Sequence, residues 1–118
     1  MAWRIEFAPE AVADLETLFD HLQSSRRQQG WPDGESARMA AERIRRIIRM
    51  ADRIAIAPLR DHAHEVAGRR FRHLTLDRAI FWYTTENADS VVRIEAIFHG
   101  GQDHMGRMLA RLTGEDGD

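Results

Sequence analysis

The first residues of the chain alternate: Trp3, Ile5 and Phe7 are apolar, Arg4 and Glu6 charged. That is the period of a strand with one buried face. Pro9 follows in the place proline tolerates best, the first turn of a helix. Val12, Leu15, Leu18, Phe19 and Leu22 then fall on one helical stripe, and Glu10, Asp14, Glu16 and Asp20 occupy the rest. The acids crowd the N-terminal half, where they complement the helix dipole. Ser24 to Gln29 is expected to fray, and Gly30-Trp31-Pro32-Asp33-Gly34 to break the chain. Asp33 reads as the N-cap of a second helix. Its apolar stripe is Ala37, Ala40, Ile44, Ile47, Ile48, Ala51 and Ile54, with Arg43, Arg45, Arg46, Arg49 and Arg53 opposite or flanking. Small residues at its start permit close approach to the first helix, so the pair is predicted to form an antiparallel hairpin that Pro58 ends.

Residues 59–68 read as a polar loop closed by Gly68, after which the period changes to two. Arg69 to Leu76 is predicted as a strand, Asp77-Arg78 as a turn, and Ala79 to Thr85 as a strand. Asn87-Ala88-Asp89 reads as a tight turn and Val91 to Phe98 as the last strand. Val92, Ile94, Ala96 and Phe98 are expected on one face of it, Arg93 and Glu95 on the other. Gly100-Gly101 breaks this strand, and a short helix from Gln102 to Leu112 is expected to bury Met105, Met108, Leu109 and Leu112. The order is β-α-α-β-β-β-(α). The expected fold is α+β, with a helical hairpin on one face of a mostly antiparallel four-stranded sheet and the other face less covered. One domain is expected over 3–112, with 113–118 an acidic, disordered tail.

The composition narrows the class. A length of 118 residues supports one core, and 43% hydrophobic with 31% charged residues is a globular composition. There are no cysteines, which removes disulfides, thiolate zinc sites and a cysteine nucleophile. The opening residues carry charge inside their apolar stretch, and no apolar run approaches the roughly 20 residues of a membrane helix. A cytoplasmic protein is expected. The net charge is −2, but it is unevenly spread, and all 17 basic residues are arginine. Between Arg38 and Arg72 ten arginines face four acids, a local +6, whereas each flank carries −4. Such a middle either attracts an anionic partner or is a helix with a solvated arginine face.

The candidate chemistry is sparse. His62, His64, His73, His99 and His104 invite a metal reading, but His62 and His64 lie in the predicted loop. Neither long helix carries an i, i+4 histidine pair, so no metal is expected. Arg70 and Arg72 either read phosphate or pair with Glu95 and Glu65. Trp31 either covers the hairpin end or faces a partner, and Trp82 is expected to pack in or beside the sheet. No glycine-rich phosphate loop, Ser-His-Asp order or paired-carboxylate motif occurs, and no cofactor is expected.

The ordered set of segments resembles a known family. Phe7-Ala8-Pro9-Glu10-Ala11 with Asp14-Leu15, then Pro58-Leu59-Arg60, then Gly68-Arg69-Arg70 with Ala79-Ile80-Phe81-Trp82-Tyr83, then Val91 to His99 with Gly100-Gly101-Gln102-Asp103-His104, resemble the RelE/ParE toxin superfamily. The resemblance spans about residues 3 to 112 and implies the toxin of a type II toxin–antitoxin pair. Members similar to RelE are ribosome-dependent mRNA endonucleases, and ParE-like members poison DNA gyrase; plasmid stabilization and growth inhibition go with both.

On the RNase side the resemblance puts Arg70, Arg78 and His99 forward as catalytic groups. His99 with Asp103 marks the exit from the last strand; alternatively His99 caps the strand end while Asp103 holds its ring. The chain departs from that side at Gln102, where many members carry arginine, and in having no lysine; Tyr83 reads as packed. The His-Gly-x-x-Asp exit is closer to ParE. The implied function is therefore gyrase inhibition without catalysis, with ribosome-dependent mRNA cleavage as the alternative. A cognate antitoxin is the implied partner in a hetero-oligomer, with Arg45, Arg49, Arg60, Arg70, Arg72 and Arg93 expected to meet antitoxin or target.

Overall fold

The computed structural model describes residues 3–59, 63–99 and 103–114. Strand β1 (Arg4–Phe7) leads into α1 (Pro9–Gln28) and α2 (Asp33–Met50), which tightens into a 3-10 turn over Ala51–Ile56. Then come β2 (His64–Val66), β3 (Arg69–Leu76), β4 (Ala79–Glu86), β5 (Val91–His99) and α3 (His104–Thr113). The sheet order is β1-β5-β4-β3-β2. β1 pairs in parallel with β5, and the other pairings among the described residues are antiparallel. The sheet thus has five strands where four were expected. The extra one is β2, inside the segment 59–68 that reads as a polar loop.

α1 does not fray at Ser24. Gly30 takes φ +93°, its N–H donates to the Arg27 carbonyl at 2.9 Å, and the Trp31 N–H donates to the Arg26 carbonyl at 3.0 Å. This pair of bonds satisfies the last carbonyls, and the left-handed residue it needs is most easily a glycine. Arg27 also reaches Asp33 at 3.2 Å. Asp33 is accordingly the first helical residue of α2 and not its cap, which is Pro32. Arg26 lies over the Trp31 ring at 5.3 Å, so Trp31 covers the hairpin end while remaining partly exposed.

The hairpin packs on one face of the sheet. Ala11, Leu15 and Leu18 of α1 and Ile47, Ala51 and Ile54 of the second arm meet Phe81, Tyr83, Val92, Ile94 and Ile97. Tyr83 is fully buried and donates its hydroxyl to the Pro58 carbonyl at 2.8 Å, which fixes the chain where the 3-10 turn ends. On the opposite face Phe71, Ile80, Trp82, Ala96 and Phe98 form a second core under Met108 of α3.

β5 therefore does not keep Val92, Ile94, Ala96 and Phe98 on one face. Tyr83 pairs with Ile94 and Trp82 with Ala96, so Glu95 is an extra residue in β5. A bulge of this kind shifts the alternation by one and turns the following residues over. Nor does α3 bury all four apolar positions expected of it. Met108 is buried, whereas Met105 and Leu109 are 45% and 52% exposed. Thr113, expected in the tail, is the last residue of α3, and residues 115–118 lie outside the described set. Among the described residues no helix is long and apolar enough to cross a membrane.

Candidate functional site

The turn between β3 and β4 builds one wall of a cleft. Asp77 and Arg78 both have positive φ, 51° and 66°, as a two-residue hairpin of primed type requires. Asp77 tolerates this better than Arg78, a long side chain held in a backbone region that costs roughly 1–2 kcal/mol. Asp77 is clamped from α2: Arg43 Nη1 donates to its Oδ2 at 2.8 Å and Nη2 to its carbonyl at 2.7 Å. Arg46 stands 3.8 Å from the same carboxylate. The clamp ties the turn to the hairpin and holds Arg78 beside the end of β5.

There Leu18, Leu22, Arg43, Arg78 and His99 line a cleft of about 390 Å³. His99 stacks on His21 of α1, with ring centroids 5.9 Å apart. Burial first, and then the charges of His21, Arg43 and Arg107, push its pKa below the ordinary 6.5. At neutral pH His99 is an uncharged imidazole among guanidinium groups. Such a pair of groups can accept a proton and hold an anionic oxygen. Arg78 has no ion-pair partner among the described residues, whereas Arg43 is already committed to Asp77.

Two of the three catalytic candidates meet here, and one does not. Arg70 lies at the other end of β3, six residues from Leu76 and therefore about 20 Å away along the strand, and pairs with Glu65 at 3.9 Å. It cannot share the cleft with Arg78 and His99. Asp103 caps α3, accepting from the Gly106 N–H at 3.1 Å. Gln102 and the two glycines before it lie outside the described residues.

The remaining arginines scatter. Arg72 donates to the Leu59 carbonyl at 3.4 Å. Glu95 pairs with Arg69 at 3.2 Å. It also lies 3.6 Å from Arg93 and accepts from the Thr84 hydroxyl at 2.9 Å. This is what the bulge accomplishes: Glu95, nearly buried, sits between Arg93 of its own strand and Arg69 of β3, reached across β4. Arg93 also stands 3.8 Å from Glu6. Arg45 and Arg49 are exposed on α2, and Arg60 and His62 lie outside the described residues.

Three of the histidines singled out in the sequence, His64, His73 and His104, gather around Trp82 on the face under α3. His73 stacks on His64 at 4.9 Å and approaches His104 at 5.0 Å. Trp82 Nε1 donates to His104 Nδ1 at 3.1 Å. Among the described residues no three metal-ligating side chains converge. Here the imidazoles serve the packing, with His104 as the acceptor for a buried indole. The available signal was strand parity, since His73 lies opposite Trp82 in the β3–β4 register.

No protein-family model and no curated protein matches the sequence. Solved structures do match. A chain of the chromosomal ParDE TA system from P. aeruginosa superposes with a TM-score of 0.61 at 17% identity, covering 82% of this chain and 95% of that one. A chain of the archaeal RelE-RelB complex from Pyrococcus horikoshii OT3 gives a TM-score of 0.49 at 17% identity, over 86% of this chain and 99% of that one. Element order, sheet topology and the superposition on the ParDE chain together give this protein the α+β, RelE/ParE-like fold.

Proposed function

We propose that this chain is the toxin of a type II toxin–antitoxin pair, acting in the cytoplasm by binding DNA gyrase and held inactive by a cognate antitoxin. The observation that carries this reading is the likeness to the ParDE chain over nearly that chain's whole length. The separation of Arg70 from the cleft and the absence of lysine speak in the same direction, because two cationic groups on which the RNase reading would draw are not there. Expression without antitoxin is expected to induce the DNA-damage response, and the purified chain to block supercoiling by gyrase. A chain that does neither refutes the reading.

The antitoxin is expected to offer acidic side chains to the exposed arginines of α2 and to Arg70, Arg72 and Arg93, in a hetero-oligomer. Their affinity should then fall with salt. A flat salt dependence would contradict this placement.

One observation favours a second reading, ribosome-dependent cleavage of mRNA: Arg78 and His99 share a cleft. In that reaction a ribose 2′-oxygen bonds to phosphorus and the 5′-oxygen leaves. His99 would take the 2′-hydroxyl proton, and Arg78 would hold the phosphorane oxygens. Primer extension would show cuts within translated messages, abolished by Arg78→Ala or His99→Ala.

A further inference from the structure

We propose that the free chain forms a two-fold dimer through the outer face of its helical hairpin, built from α1 of each copy lying against α2 of the other. That face carries an apolar groove of about 440 Å³ between the helices, lined by Val12, Leu15, Phe19, Ile44 and Ile48. Val12 is 44% exposed and Ile48 40%, on a face turned away from the sheet core. Neighbouring apolar side chains left open along two helices mark a contact surface more than a solvated one.

The charges on its rims identify the occupant. Most charged side chains of the hairpin already have partners: Asp14 with Arg111, Arg27 with Asp33, Arg38 with Glu35 and Glu42, Arg43 and Arg46 with Asp77. Glu16 and Asp20, which line the α1 side of the groove, have none among the described residues. Neither do Arg45 and Arg49, exposed one turn apart on α2 next to Ile44 and Ile48. One rim is thus acidic, the other basic, and both are unpaired.

Such a face is complementary to itself under one symmetry only. A two-fold axis parallel to the helices sets α1 of one copy on α2 of the other, running antiparallel, with acid against arginine on both sides. An axis across the helices sets α1 on α1 and like charge on like. Symmetric dimers are the commonest assemblies, and their contacts are made by the same patch on both copies. Helices of 20 and 18 residues are about 30 Å long, and two side by side are about 20 Å wide. Contact over that face hides roughly 1,100 Å² in all, the lower edge of specific interfaces. The dimer is therefore weak and reversible, and it competes with any partner that takes the same groove.

The test is sedimentation equilibrium of the isolated full chain at rising concentration, with circular dichroism to establish folding. The wild type is expected to pass from monomer to dimer. The acid-to-base variant E16R/D20R and the base-to-acid variant R45E/R49E are each expected to associate about ten- to hundredfold more weakly. Mixed together they are expected to form a heterodimer, since every rim contact is then again between opposite charges. A wild type that stays monomeric, variants that associate as well as it does, or folded variants whose mixture stays monomeric would overturn the proposal. A groove protected only when an antitoxin segment is added would overturn it too.

Discussion

Asp14 of α1 and Arg111 of α3 meet through both prongs of each side chain, Arg111 Nη1 at 2.9 Å from Asp14 Oδ2 and Nη2 at 3.0 Å from Oδ1. The same Oδ2 accepts the N–H of Ile97 at 2.9 Å. β1 pairs with β5 through residue 94, and beyond it no strand among the described residues lies beside the outer edge of β5. Asp14 covers that edge, and Arg111 carries α3 around it from the opposite face. One carboxylate thereby joins the hairpin, the sheet and the last helix.

Asp14→Ala should therefore cost about 2–3 kcal/mol, since it removes the two-pronged carboxylate partner of a part-buried guanidinium and the acceptor of a buried strand's N–H. Urea unfolding would measure it. A double-mutant cycle with Arg111→Ala should show coupling of about 1 kcal/mol or more; additive losses would mean the pair is incidental.

Trp82 gives a second test on the same helix. Its indole N–H is buried and has His104 as acceptor. His104→Phe removes the acceptor while keeping a ring, and should destabilise the chain by about 1–3 kcal/mol. Increased amide exchange in α3 is the accompanying sign. Equal protection of α3 in both proteins would show that the bond does not anchor the helix.

The pH dependence follows from His99. Its folded pKa lies below the unfolded 6.5, because of burial and then the charges of His21, Arg43 and Arg107. Below 6.5 the unfolded chain binds a proton that the folded chain resists. The contribution of His99 is complete above that pH and is lost as pH falls toward the folded value. Stability of the wild type should decline between about pH 7 and pH 5 more steeply than that of His99→Gln. Parallel curves would remove His99 as the cause.

Arg78 stores strain at φ 66°. Arg78→Gly should raise stability by about 1 kcal/mol, while Arg78→Ala, which keeps the strained backbone, should not. A melting-temperature comparison of the two decides it. If glycine stabilises no more than alanine, the turn is not under strain.

How far these features could be read from the sequence depends on the range of the interactions behind them. The hairpin and the three long strands were legible because their apolar spacing is local. β2 was not: His64-Glu65-Val66 has no alternation to speak for it and becomes a strand only by pairing with Arg69 to Phe71. The turned-over end of β5 was hidden for a similar reason, since a bulge at Glu95 leaves the sequence pattern of Val91 to Phe98 unbroken. In the site, Arg78 and His99 were named from the resemblance, and Arg43 only as a helix-flanking arginine. Its role depends on Asp77, 34 positions away, reaching it across the fold. Arg70 lies away from the cleft of Arg78 and His99, because strand parity places it on a face but says nothing of its distance along the strand.

The most direct test of the proposed function is a gyrase supercoiling assay run on the wild type and on the Arg78→Ala/His99→Ala double variant. Inhibition by the wild type, with the double variant still inhibiting, is the result expected of a gyrase-binding toxin that does not use the cleft as a catalytic site. Untouched supercoiling, together with cuts in translated mRNA that vanish in the double variant, would contradict it.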